Sequence, residues 1–180
     1  MTHLDAGALF RAHAAFVAAF LARLGLEPAE LDDAVQEVFL IAHRRGGFHE
    51  GAAEPTTWLA AIALRIASGM RRSGRRRARA ATEAAPEAGA ATAFEALAAA
   101  ESLSRVEQAL QTLSLDHRAV FVLFEIEGAS CESIAAGLGI PLGTVYSRLH
   151  AARRGFQKAH ARLEDEPSAA LEPGATRQAV

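Results

Sequence analysis

Four apolar residues, Val145, Leu149, Ala152 and Phe156, recur at three- and four-residue spacing just after the turn Gly139-Ile140-Pro141. That spacing lays one stripe along one helix, and the turn separates it from a shorter helix holding Ile134, Ala135 and Leu138. Ser130 is placed to cap the shorter helix, small Ala135 lets the two helices cross closely, and Gly139 suits the positive φ that such a turn requires. The pattern predicts a helix-turn-helix. Its free face, Thr144, Tyr146, Ser147, Arg148, His150 and Arg153, carries no acid, and Arg154 follows. A helix of this composition meets base edges near its N-terminal end and holds phosphates with arginines further along. The plainer alternative is a helical hairpin within a bundle. The coincidence of turn chemistry, stripe and acid-free face favours the DNA-reading form.

The rest of the chain is consistent with helices. Hydrophobic residues make up 51% of its 180 residues, with one Trp and one Tyr, and an excess of Ala and Leu favours helix because those side chains lose little freedom there. The expected class is all-α, two small helical domains joined by a flexible linker. The single cysteine, Cys131, cannot form an internal disulfide. Together with an N-terminus without a leader pattern, this predicts a cytoplasmic protein, and no apolar run of the roughly 18 residues needed to cross a bilayer is expected.

A formal net charge of −2 hides two basic islands. Residues 61–80 hold seven Arg and no Asp or Glu; residues 141–163 hold five Lys or Arg and no acid; the 60 residues between 81 and 140 carry a net charge of −7. Two acid-free islands in an acidic chain suit two phosphate-facing surfaces; solvated helix faces are the alternative.

Periodicity places a first helix over about Ala8 to Leu24, with Leu9, Phe16, Val17, Phe20, Leu21 and Leu24 on its buried side. A second begins near Pro28 with core stripe Leu31, Val35, Val38, Phe39 and Ala42, leaving Asp33, Gln36, Glu37 and Leu40 outside. Gly46-Gly47 breaks it, and Thr56 or Thr57 is placed to cap a third helix that buries Trp58, Ile62 and Ile66 and runs into Arg71 and Arg72. Further helices carry Leu103, Val106, Leu110 and Leu113, then Val120, Phe121 and Phe124. The domains are expected at 4–77 and 94–163, with a linker at 78–93 and a disordered tail at 164–180.

Glu125-Ile-Glu-Gly128, Ile134-Ala135, Leu138-Gly-Ile-Pro-Leu-Gly-Thr-Val145 and Ser147-Arg-Leu-His150 closely resemble the promoter-binding fourth region of extracytoplasmic-function sigma factors, the compact specificity subunits of bacterial RNA polymerase. Asp33-Ala-Val-Gln-Glu-Val-Phe39, Thr57-Trp-Leu and Ile62-Ala63 resemble the second region of the same family. The resemblance implies a transcription initiation factor without catalysis of its own. It implies that Asp33, Gln36, Glu37 and Leu40 grip the β′ clamp helices of core RNA polymerase, that the second domain meets the β flap, and that an anti-sigma factor controls the chain. It further implies that the loop Arg45 to Pro55 and the third helix engage the minus-ten element. Exposed bases need an aromatic platform and the displaced backbone needs cations, which makes Phe48, Arg65, Arg71 and Arg72 the candidates; Phe48 is equally suited to anchoring its loop on the core. The minus-thirty-five candidates are Thr144, Tyr146, Ser147, Arg148, His150, Arg153 and Arg154.

The chain departs from the family pattern at Ala60, Ala61, Leu64-Arg65 and Tyr146, and Ser133 stands where a Glu would complete a capping box with Ser130. Other chemistry is weak. His43 and His49 straddle the Gly-Gly break without nearby cysteines, so no metal is expected, and no cofactor motif is present. Cys131 sits at a helix start, where a thiol pKa can fall. An autonomous helix-turn-helix repressor would need a self-complementary dimer face, and an enzyme would need a catalytic constellation; neither is visible.

Overall fold

The computed structural model describes residues 3–80 and 94–165, and its helices follow the apolar stripes. Helix α1 (Ala6–Arg23) is capped by Asp5, whose carboxylate accepts from the Ala8 N–H at 2.7 Å, and it buries Leu9, Val17, Phe20 and Leu21. By length and composition α1 matches a membrane span, contrary to the expectation that no such run exists, but those four side chains lie inside the fold. Helix α2 (Pro28–Arg44) starts with proline in its first turn and buries Ala34, Val38, Phe39 and Ala42. Helix α3 (Pro55–Ala80) begins before the expected threonine caps. Glu54 offers its carbonyl to the Trp58 N–H, while its own N–H donates to Thr57 Oγ1, so Thr57 supports the helix start from inside. Strands β1 (His3–Leu4) and β2 (Phe48–His49) form a short antiparallel ladder that ties the N-terminus to the loop after α2.

Helix α4 (Phe94–Gln111) buries Leu110, with Leu113 just beyond it, but Leu103, expected on that stripe, is exposed. Helix α5 (Leu115–Phe121) runs into a π-helical turn over Val122–Ile126. Ser130 caps α6 (Cys131–Leu138), its hydroxyl accepting from the Ser133 N–H; Gly139 ends it at φ 66°, a left-handed conformation costly for any side chain. Helix α7 (Leu142–Asp165) then buries Val145, Leu149 and Ala152. The linker expected at 78–93 is helical as far as residue 80; residues 81–93 and 166–180 lie outside the described residues.

The buried apolar residues of the two helical halves form one contiguous core. Helix α6 packs on the start of α3, and the end of α4 packs on the α1–α2 turn. Gly25, at φ 90°, permits that second approach, since a Cβ there would lie 2.6 Å from Gln111 and 2.9 Å from Arg118.

Arg118, at the junction, is fully buried. Its guanidinium donates to the carbonyls of Leu24 (2.9 Å), Gln111 (2.8 Å) and Leu113 (3.1 Å) and to Gln111 Oε1 (2.7 Å). It thereby covers the C-terminal ends of α1 and α4, where unpaired carbonyls and the helix dipole favour a cation. Burial, and then the charge of Arg71, push its pKa down to about 10, so it stays charged at neutral pH and relies on those bonds.

Candidate nucleic-acid interface

The stripe Val145, Leu149, Ala152 fixes the rotation of α7, and the remainder of the helix faces outward. Tyr146 is 52% exposed, Ser147, His150, Arg153 and Arg154 are exposed, and Thr144 and Arg148 are half-buried. Ser147 donates to the Thr144 carbonyl at 3.0 Å, a local bond it can exchange for a base edge. Two of the arginines are already engaged. Arg148 Nη2 lies 2.8 Å from Asp116 Oδ2 at the start of α5. Arg153 Nε bonds Glu125 Oε1, and its guanidinium sits 5.2 Å from the centre of the Phe124 ring, a cation–π contact. Arg154 has no acid partner among the described residues. Gripping of phosphate by the unrestrained Arg154 therefore costs less rearrangement than gripping by Arg153.

In the first half Asp33, Gln36, Glu37 and Leu40 are all exposed on one side of α2, Leu40 at 53%. An exposed leucine among polar residues is what a partner surface with an apolar centre offers. Arg65 and Glu37 line one groove with Ile41, Ile66 and Met70 between α2 and α3. Arg71 and Arg72 line another, between the end of α3 and the α4–α5 turn. The four minus-ten candidates are thus not brought to one spot. Phe48 is buried and packs edge-on against Trp58, ring centres 5.9 Å apart. Its role in this structure is that of the loop anchor, with no open face to stack on a base. Ala60 is fully buried, so that departure from the family pattern lies in the core.

The Sigma-70 region 2 family matches residues 9–77, and the Sigma-70 region 4 family matches residues 103–154. The ECF RNA polymerase sigma factor SigL of Mycobacterium tuberculosis is 36% identical over 152 residues, covering 83% of this chain and 85% of that relative. The chain belongs to the extracytoplasmic-function sigma factor family. Among solved structures, the sigma factor RpoE from Bartonella quintana, in complex with the anti-sigma factor NepR, superposes on 83% of this sigma factor and 92% of its own chain with a TM-score of 0.61 at 24% identity. CnrH, in complex with the cytosolic domain of CnrY, matches 89% of this chain and 88% of its own, also with a TM-score of 0.61 at 24% identity. These two likenesses bear on the fold.

Some residues of this sigma factor escaped sequence reasoning. Asp116 and Glu125, which hold Arg148 and Arg153, read in sequence only as part of an acidic segment. Ser133 reads as a lost capping partner, yet it is buried against Thr57, their hydroxyls 3.0 Å apart. Cys131 lies at the start of α6 as expected, but burial first, and then Glu132, push its thiol pKa up despite the opposing effect of Arg153. That keeps the thiol protonated.

Proposed function

We propose that this sigma factor binds core RNA polymerase through Asp33, Gln36, Glu37 and Leu40 on the β′ clamp helices, with its second domain on the β flap. It directs the enzyme to promoters whose minus-thirty-five element is read by the N-terminal part of α7. The minus-ten element is met by the loop 45–55 and by Arg65, Arg71 and Arg72, with the displaced backbone following the cations. Catalysis belongs to the polymerase, the sigma factor acts beside it in the cytoplasm, and an anti-sigma partner holds it in reserve, as NepR and CnrY accompany the two structural relatives.

One observation carries this reading. A single chain presents an exposed acidic and polar stripe that ends in a leucine on α2, and an acid-free, outward-facing helix on α7. An autonomous repressor has no use for the first face. Run-off transcription with core polymerase tests it: the sigma factor should convert a non-specific enzyme into one that starts at defined promoters. Tight, specific promoter binding by the chain alone, unchanged when core polymerase is added, would sink the proposal.

A further inference from the structure

Strands β1 and β2 pair His3 with His49 and Leu4 with Phe48. Because neighbouring residues of a strand point to opposite faces, the two histidines share the outer side and the two apolar residues the inner one. The burial agrees: Phe48 is buried against Trp58, Leu4 packs on the core, and both histidines are exposed with ring centres 4.6 Å apart. His3 reaches further along the loop. Its Nε2 lies 2.7 Å from the Gly46 carbonyl oxygen, which can only accept, so the ring nitrogen donates. The strand is itself anchored, since Asp5, the next residue, caps α1 through the Ala8 N–H and offers its carbonyl to the Leu9 N–H at 3.0 Å.

The loop from 45 to 55 is entered through Gly46 and Gly47, both at positive φ, 80° and 85°. Two glycines in succession leave a chain free to turn many ways, so something outside them must fix the direction in which the loop leaves α2. At Gly47 the strand comes so close that a Cβ would run into the Leu4 carbonyl, whereas at Gly46 a Cβ would meet open space. At the far end, Glu54 is held by the Thr57 hydroxyl, which accepts from its N–H at 3.1 Å and donates to its carbonyl at 3.0 Å. The loop is thus fixed at both ends, and the exposed residues His49 to Ala52 are what it presents. Strand β1 acts from outside the stretch that the Sigma-70 region 2 family matches, which starts at residue 9.

We infer that His3 and Leu4 form a positioning strand for the minus-ten loop, and that His3, through its bond to the Gly46 carbonyl, sets which minus-ten sequences this sigma factor accepts. The inference rests on the assignment of that loop to the minus-ten element in the sigma factor reading above. His3 need touch no base. A loop that presents His49 to Ala52 in one direction meets an unpaired base in one geometry, while a loop freed at Gly46 samples several, and discrimination between bases falls.

The test is transcription by holoenzyme containing the full chain, on a promoter library randomised across the minus-ten element and fixed at the minus-thirty-five element. His3→Ala should reduce discrimination between the preferred minus-ten sequence and scrambled ones by about fivefold, as expected for loss of one hydrogen bond, while core polymerase affinity and the minus-thirty-five preference stay level. His3→Gln, which keeps a donor at similar reach, should restore wild-type selectivity; His3→Phe, which keeps a ring beside His49 but no donor, should not. Gly47→Ala should relax selectivity more than Gly46→Ala, because both carry left-handed strain and only the first collides with the strand. Unchanged selectivity in His3→Ala, equal behaviour of the Gln and Phe variants, or an equal loss on both promoter elements overturns the inference. Amide hydrogen exchange at residues 46–50 should rise in His3→Ala and not in His3→Gln. Should the wild-type chain direct no initiation at all, the function reading fails, and exchange alone decides whether the strand holds the loop; unchanged exchange in His3→Ala overturns the inference in either case.

Discussion

The two basic islands look alike in sequence and differ in the folded chain. On α7, Arg148 and Arg153 are tied to Asp116 and Glu125, acids delivered by α5 and the π-turn of the same half. On α3, Arg71 and Arg72 pair with no acid among the described residues and border the buried charge of Arg118 across a groove. A charge run therefore does not define a surface. Arg148 and Arg153 are held in position by their own half, which suits reading fixed base edges; Arg71 and Arg72 carry no such tie among the described residues, which suits following a flexible displaced strand.

The largest effect expected on this comparison comes from the cation that neither surface uses. Replacing Arg118 by Met removes four hydrogen bonds and leaves the ends of α1 and α4 uncovered, a loss of about 3 kcal/mol. Thermal unfolding should move down by about 6 to 12 °C. A melting temperature within a degree or two of the wild type would show that Arg118 is not the joint described above.

Next in size is the α2 stripe. Gln36→Ala with Glu37→Arg should weaken association with core polymerase by about 2 kcal/mol while helix content stays level, because both positions are exposed. Unaltered polymerase affinity, measured by fluorescence anisotropy, would remove α2 from the interface.

The smallest effect separates the two neighbours on α7. Arg154→Ala should flatten the dependence of log affinity on log salt by about one unit, as expected when one phosphate contact and its counterion are lost. Arg153→Ala should change that slope less and destabilise the second half instead, by about 1 kcal/mol, since Glu125 and Phe124 lose their partner. Equal slopes for the two variants would mean that Arg153 leaves Glu125 when DNA arrives.

These differences explain what was legible in sequence. The pair α6 and α7 was readable because Ser130, Gly139 and the 145, 149, 152 stripe each answer a local requirement of cap, turn or periodicity. The exposure of Asp33, Gln36, Glu37 and Leu40 followed from the same periodicity on α2. Contacts between the halves left no such trace. Gly137, Ser133 and Thr57 are small residues with no pattern of their own, and their roles depend on a surface some 80 residues away in sequence. Arg118 looked like any surface cation, since periodicity cannot say that two helix ends converge on it. The β1–β2 ladder was too short to show alternation, and it is this ladder that seats Phe48 in the core.

The central claim is that α7 divides reading from gripping, and transcription by holoenzyme on a promoter library randomised across the minus-thirty-five element, with the minus-ten element held fixed, tests it most directly. If Ser147 and Arg148 meet base edges, Ser147→Ala or Arg148→Ala should cost about 1 to 3 kcal/mol on the preferred sequence and much less on scrambled ones, so that specificity relaxes. An equal loss on every library member would contradict the account. It would reduce Ser147 and Arg148 to phosphate contacts or to supports of the fold through Thr144 and Asp116, and would move base reading to Tyr146, His150 or the shape of the DNA.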